Sequence, residues 1–198
     1  QMLYGAQVIS DIWKETNGDA IVVSDVGQHQ MLEAQYYKHD EPNTLLTSGG
    51  LGTMGFSLPA AIGASFYNRN KDIWVIVGDG SIQMTITELA TAVQENANIK
   101  IAIINNGYLG MVRQWQQLFY DSRYNETPIS SPDYVKLSEA YGLKGIRVIS
   151  RPEIPGAIEE AQNINGPVLV EFVVEQHDMV YPMVPAGADL DAMISRPV

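Results

Sequence analysis

The sequence predicts an α/β fold, a three-layer α/β/α sandwich built on a mainly parallel sheet. Two observations carry this. The runs Ile73-Trp74-Val75-Ile76-Val77 and Ile101-Ala102-Ile103-Ile104 are short, continuous and rich in branched side chains. Strands buried on both faces of a parallel sheet read in this way. Strand-like runs also alternate with helix-like segments along the chain, which implies helices on both faces of one sheet.

Strands are expected at Ala20–Ser24, Thr44–Thr47, Ile73–Val77, Lys100–Ile104, Gly145–Ile149 and Val168–Val174. The first helix is expected over about Gly5–Thr16, where Val8, Ile9 and Ile12 form one stripe. A second begins at Leu58, with Pro59 near the first helical position, where its missing N–H does no harm. The small residues Ala60-Ala61-Ile62-Gly63-Ala64 then permit close packing. A third begins at Thr85. The pattern Thr85-Ile86-Thr87-Glu88 is that of a capping box, and Ile86, Leu89, Ala90 and Val93 repeat at helical spacing. Further helices are expected near Leu109–Phe119, Pro132–Tyr141 and Ile154–Asn163. The polar segment Asp121–Pro132 reads as a surface loop. After Gln176 no period is visible, so residues 1–176 are expected to form the main domain and 177–198 an arm or lid.

The 198 residues fit one large domain or at most two small ones, and 45% hydrophobic residues are ample for a single core. No apolar run approaches the roughly 20 residues of a membrane span. Gln1-Met2-Leu3-Tyr4-Gly5 lacks the basic and apolar regions of a signal peptide. The start at Gln1 reads as part of a longer chain. Absence of cysteine excludes disulfides and thiolate metal sites and fits a reducing compartment, so a cytoplasmic location is expected. A net charge of -11 argues against nucleic acid or anionic membranes as partners. A phosphate ligand is still compatible, held by helix N–H groups and a metal.

Gly78-Asp79-Gly80 closes the first buried run and, 24 residues later, Asn105-Asn106 closes the second. A carboxylate and a carboxamide therefore stand at the carboxyl ends of two strands, where open α/β sheets bind ligands. Glycines beside Asp79 let a ligand approach the backbone. Oxygens of Asp79 and Asn106 suit a hard cation such as Mg2+ that shares phosphate oxygens. The expected ligand is Mg2+ bridging the protein to a diphosphate. Either half alone is weak, since Asn106-Gly107 is a common turn; the two together favour the metal. A competing pattern is Gly50-Leu51-Gly52-Thr53-Met54-Gly55, which satisfies the dinucleotide fingerprint and would bind NAD. Met111, Val112 and Trp115 share a helical face and on spacing alone read as a core stripe. Met54 reads as core filler. His29 is given no acid–base role, His39 and His177 have no visible partner, and Arg113 reads as a surface charge.

The Gly-Asp-Gly and Asn-Asn spacing resembles the diphosphate-and-metal motif of thiamine diphosphate enzymes. The segment Asn105-Asn106-Gly107-Tyr108-Leu109-Gly110-Met111-Val112-Arg113-Gln114-Trp115-Gln116 resembles, more narrowly, the large catalytic subunits of the acetohydroxyacid (acetolactate) synthase family. So do Ser24–Gln30, Ser48–Gly55 and Tyr181–Pro185. The resemblance covers essentially the whole chain and the C-terminal third of that subunit. It implies thiamine diphosphate and Mg2+ as cofactors. The side chains of Asp79 and Asn106 and the carbonyl of Tyr108 would bind Mg2+. Val26, Gly27, Gln28, His29, Gly80 and Ser81 would approach the diphosphate, and Leu109, Gly110 and Met111 would complete the cofactor contacts. The Gly52 carbonyl would accept from the cofactor 4′-amino group, and Met54 would be the wedge that keeps the cofactor bent. Trp115 would line the entrance and help choose the second 2-keto acid.

The implied reaction joins pyruvate to a second pyruvate or to 2-ketobutyrate with loss of CO2, toward valine, leucine and isoleucine. The Glu that such enzymes place at the pyrimidine N1′ belongs to a separate N-terminal domain, so no catalytic residue is expected in this chain. FAD belongs to a middle domain and is expected in the full-length subunit, not on this chain. The isolated chain is expected to be inactive, and the enzyme a homodimer or larger; a regulatory subunit is left open. Three alternatives stand: a glyoxylate carboligase or 2-keto acid decarboxylase sharing the Asp79 and Asn106 motif, an NAD-binding dehydrogenase domain, and a non-catalytic α/β module.

Overall fold

The computed structural model describes residues 2–67 and 71–197. Six strands form one all-parallel sheet: β1 (Ile21–Ser24), β2 (Leu45–Thr47), β3 (Ile73–Gly78), β4 (Ile99–Asn105), β5 (Lys144–Val148) and β6 (Val168–Val173). Their order is β2-β1-β3-β4-β6-β5. Each expected strand is present to within about a residue. Strands β3 and β4 are buried along almost their whole length, as their continuous apolar runs require. The two edges are short or polar: β2 has three residues, and β5 carries Lys144 and Arg147. Such edges resist pairing with another chain.

Alternate strand residues face opposite layers. Val22, Trp74, Ile76, Ala102 and Val170 pack with α1 (Gly5–Glu15), α2 (Gln28–Tyr36) and α8 (Ile154–Gln162). Val23, Val75, Val77, Ile101 and Ile103 pack with α3 (Ser57–Tyr67), α5 (Leu89–Gln94) and α7 (Tyr134–Tyr141). The remaining helices are short α4 (Asp79–Gln83), directly after β3, and α6 (Gly110–Phe119), after β4. At the start of β4 the fully buried Lys100 donates to Asn98 Oδ1 and the carbonyls of Ile164 and Gly166. It thereby pins the loop that leads into β6, and burial holds its amine down to about 8.

The capping box expected at Thr85 does not form. The Thr85 hydroxyl donates to the Gly55 carbonyl instead, at 3.0 Å. The segment enters through one 3-10 turn, Ile86–Glu88, before α5. The core stripe expected on α6 is also absent. Val112 and Trp115 are each 49% exposed, whereas Arg113 and Gln114 are buried. Arg113 is no surface charge: it donates to the Gln176 carbonyl, Gln117 Oε1 and His177 Nδ1, and it lies between the rings of Tyr108 and Tyr124. These residues hold the chain that follows β6 against α6. The chain then packs on α6 at Val180 and Met183, both buried, and Met183 pairs with Ile194 further on.

Candidate functional site

Strand β1 leads to β2 on one side, and the chain then returns past β1 to β3 on the other. This reversal between β1 and β3 is the switch point where open α/β sheets take ligands. Three helices begin there: α2 after β1, α4 after β3 and α6 after β4. None has a side-chain cap; Gly27, Gly78 and Leu109 stand at their N-cap positions. Their first-turn N–H groups have no intrahelical partner and favour an anion. Neither α2 nor α4 was expected from the sequence. Gln28–Tyr36 has no clear apolar stripe, and α4 is only five residues long.

A cavity of about 120 Å3 lies among these helix starts. It is lined by Val26, Gly27, Gln28, His29, Met54, Asp79, Gly80, Ser81, Asn106, Tyr108, Leu109, Gly110 and Met111. These are all of the expected site residues except Gly52 and Trp115. Gly52 sits in the loop beside Val26 with φ +63°, and Trp115 lies one turn further along α6. The opposite wall, unforeseen, comes from Glu175, Asp178, Met179 and Val180 near the C-terminus.

Asp79 is 1% exposed. Its carboxylate accepts from Gly107 N–H and Ser131 Oγ, both at 3.1 Å and both on Oδ2. Oδ1 accepts neither of these bonds. Burial pushes this carboxyl up to about 6, and the hydrogen bond from Ser131 opposes it. The Tyr134 hydroxyl donates to the Asp79 carbonyl at 2.9 Å. Asn106 Oδ1 accepts from Tyr108 N–H at 3.0 Å, and its Nδ2 donates to Gln28 Oε1 at 3.2 Å. Asp121–Pro132 is thus only partly a surface loop. Its second half folds back, with Thr127 buried, Ile129 N–H bonded to the Gly107 carbonyl, and Ser131 on Asp79.

The glycines are needed for space. A Cβ at Gly110 would stand 2.2 Å from Gln28 Oε1 and 2.7 Å from Asn106 Nδ2. Cβ atoms at Gly27 and Gly78 would each strike the His29 ring, at 2.9 and 2.8 Å. His29 accepts from Gly78 N–H through Nε2 at 3.2 Å. Burial holds its imidazole down to about 4, with the charge of Asp25 opposing. It is therefore a neutral brace near pH 7. The other histidines have partners after all: His39 meets the buried Glu33, and His177 meets Arg113.

Asp25 was not singled out from the sequence. It is fully buried, and its carboxylate accepts from Val26 N–H, Gly55 N–H, Ser57 N–H and Ser57 Oγ. It ties the loop of Gly52 and Met54 to the end of β1. The same bonds disfavour the dinucleotide reading. Gly55 and Ser57 spend their N–H groups on Asp25, Thr53 on Ser48 Oγ and Gly52 on the Ser48 carbonyl. Few are left for a pyrophosphate. The strand before the loop, β2, is also separated from β3 and Asp79 by β1.

The donor set suits a cation shared with a ligand. Among the described residues no group of three His, Cys, Asp or Glu could cage a metal alone. One carboxylate, one carboxamide and nearby carbonyls suit a hard ion completed by phosphate oxygens. The family described as thiamine pyrophosphate enzyme, C-terminal TPP binding domain, matches residues 25–172. The chain belongs to this family.

Within it, this TPP-binding domain is similar to several acetolactate synthases. It is 50% identical to the acetolactate synthase large subunit of Corynebacterium glutamicum, over 91% of this chain and 30% of that protein. It is 46% identical to the mitochondrial acetolactate synthase catalytic subunit of Saccharomyces cerevisiae, over 94% of this chain and 27% of that protein. It is 38% identical to the acetolactate synthase isozyme 2 large subunit of Escherichia coli, over 98% of this chain and 36% of that protein. The chain thus spans about a third of the length of these relatives.

Proposed function

We propose that this TPP-binding domain holds the diphosphate end of thiamine diphosphate, with Mg2+, in an acetolactate synthase. The longer subunit would join pyruvate to a second pyruvate or 2-ketobutyrate with release of CO2, in branched-chain amino acid biosynthesis. One observation carries the reading: three uncapped helix starts converge with Asp79 and Asn106 on a single cavity. Similarity to acetolactate synthases over more than nine-tenths of the chain supports the choice of reaction.

When bound, the cofactor supplies the electron sink for decarboxylation and carbon–carbon bond formation. The chain supplies binding and orientation. Oxygens of Asp79 and Asn106, with the Tyr108 carbonyl, take the cation. N–H groups at Gln28, Gly80 and Ser81 face the diphosphate. Met54 and the Gly52 carbonyl, held by Asp25, address the rest of the cofactor. Trp115, exposed on α6, belongs to the substrate side. The cavity of about 120 Å3 is smaller than the roughly 300–1,000 Å3 clefts that enclose whole ligands. Other domains would complete the site, including those that would bring the N1′ carboxylate and FAD, and residues 177–197 would act as an arm over it. The site would be completed in a homodimer or larger assembly.

Calorimetric titration of the full-length subunit with thiamine diphosphate, with and without Mg2+, tests the reading. Binding should require the metal, and Asp79→Ala should abolish that requirement together with tight binding. Unchanged cofactor affinity in Asp79→Ala would sink the assignment of the metal site.

A further inference from the structure

A chain of three side-chain amides runs from the C-terminal segment to the cation end of the cavity. It starts at Gln114, on the side of α6 turned to the core and 0% exposed. Gln114 Nε2 donates to the Val180 carbonyl at 2.9 Å and approaches Met183 Sδ at 3.4 Å. Gln114 Oε1 accepts from Val180 N–H and from Gln28 Nε2, each at 2.8 Å. Gln28 Nε2 also donates to the Asp178 carbonyl at 3.2 Å. Gln28 Oε1 then accepts from Asn106 Nδ2 at 3.2 Å.

Each link has a direction. A carboxamide has one donor end and one acceptor end, so fixing one end fixes the other. The Val180 backbone presents both an N–H and a carbonyl to Gln114, which allows that amide only one orientation. Gln114 therefore presents its oxygen to Gln28. Gln28 must answer with its nitrogen, which turns its own oxygen to Asn106. Asn106 must answer with its nitrogen, which leaves Oδ1 on the opposite side, beside Tyr108 N–H. Reversing any one amide would set donor against donor or acceptor against acceptor, most costly at Gln114, where the bonds are buried. Gly110 makes room for the relay, because a Cβ there would collide with both Gln28 Oε1 and Asn106 Nδ2.

We propose that Gln114 is a positioning residue: through Gln28 it makes the seated Asp178–Met183 segment set which atom of Asn106 faces the cation. With the segment seated, Asn106 offers its oxygen. Without it Gln28 is free to turn, Asn106 keeps only the bond from Tyr108 N–H to hold its orientation, and its NH2 group competes for the cation position. The inference rests on the proposed function, since it needs Asn106 to be a cation ligand.

The test uses the full-length subunit and reads Mg2+ affinity by calorimetry at saturating thiamine diphosphate. Gln114→Leu removes both ends of the amide and should weaken Mg2+ by about 10- to 100-fold, the usual effect of losing a partner behind a metal ligand. Gln114→Glu keeps an oxygen for Gln28 Nε2 and Val180 N–H and, when protonated, a donor for the Val180 carbonyl, so it should lose less Mg2+ affinity than Gln114→Leu. Wild-type Mg2+ affinity in Gln114→Leu, or equal losses in Leu and Glu, overturns the relay. A second measurement needs no variant. Coupling is reciprocal, so loading the wild-type site with Mg2+ and cofactor should slow hydrogen exchange at the Val180 amide by about 5-fold or more. Unchanged exchange overturns the relay. Absence of any Mg2+-dependent cofactor binding in the wild type overturns the functional reading and the relay with it.

Discussion

At Asp25 a single buried carboxylate takes four hydrogen bonds, one from Gly55 in the loop of Gly52 and Met54 and two from Ser57, which opens α3. Removing it leaves the N–H groups of Gly55 and Ser57 without partners in a dry setting. Asp25→Ala should therefore lower unfolding free energy by about 3 kcal/mol or more, measured by urea denaturation. A change under about 0.5 kcal/mol would show the strut to be dispensable. His29 makes a prediction about acid. Its pKa falls from 6.5 unfolded to about 4 folded because burial penalises the cation. Between those values the unfolded chain binds more protons. Stability from His29 is thus complete above about 6.5 and is lost as pH falls toward 4, by up to about 3 kcal/mol. Asp79 works in the opposite sense without metal, since its raised pKa costs stability as pH rises through about 6. The comparison of interest is therefore between variants. Going from pH 7 to pH 4.5, His29→Gln should lose less stability than the wild type; an equal loss in both would contradict the buried neutral imidazole.

Among the elements, α6 departs furthest from the ordinary amphipathic rule. It turns Arg113 and Gln114 inward and leaves Val112, Trp115 and Phe119 largely exposed. The polar inward face has partners for it: Val180, Gln176, His177 and Gln28. The apolar outward face is only half buried in this domain. Trp115→Ala in the isolated chain should cost no more than about 1 kcal/mol, the loss of its half-buried ring. Under the proposed function, its effect should appear in the full-length subunit as an altered preference for the second 2-keto acid. A loss above about 2 kcal/mol in the isolated chain would mean that Trp115 packs into this core. The short helix α4 shows why the site was only partly legible at this scale. Gly78-Asp79-Gly80 was visible as polar and flexible chemistry after a buried strand. The Asp79 carbonyl at the start of this helix accepts from the Tyr134 hydroxyl, and Tyr134 lies 55 residues away.

Taken whole, the domain under the proposed function would hold only part of the cofactor. The isolated chain should form no detectable acetolactate from pyruvate, whereas the full-length subunit should, in a colorimetric acetolactate assay with thiamine diphosphate and Mg2+. Turnover by the chain alone would overturn the view that catalysis needs the other domains. The sequence by itself determined the six strands, the two helical layers and the placement of Asp79 and Asn106 at strand ends. These follow from period and local composition, and a strand buried on both faces needs a continuous apolar run whatever surrounds it. Tertiary structure alone decided the rest. The partners of Asp25 lie about 30 residues away in the chain, and those of Gln114 lie 66 to 86 residues away. The inward face of α6 was set by the segment that packs on it. A side chain's hydrogen-bond partner across such separations depends on where the sheet brings distant segments together, and no local pattern records that.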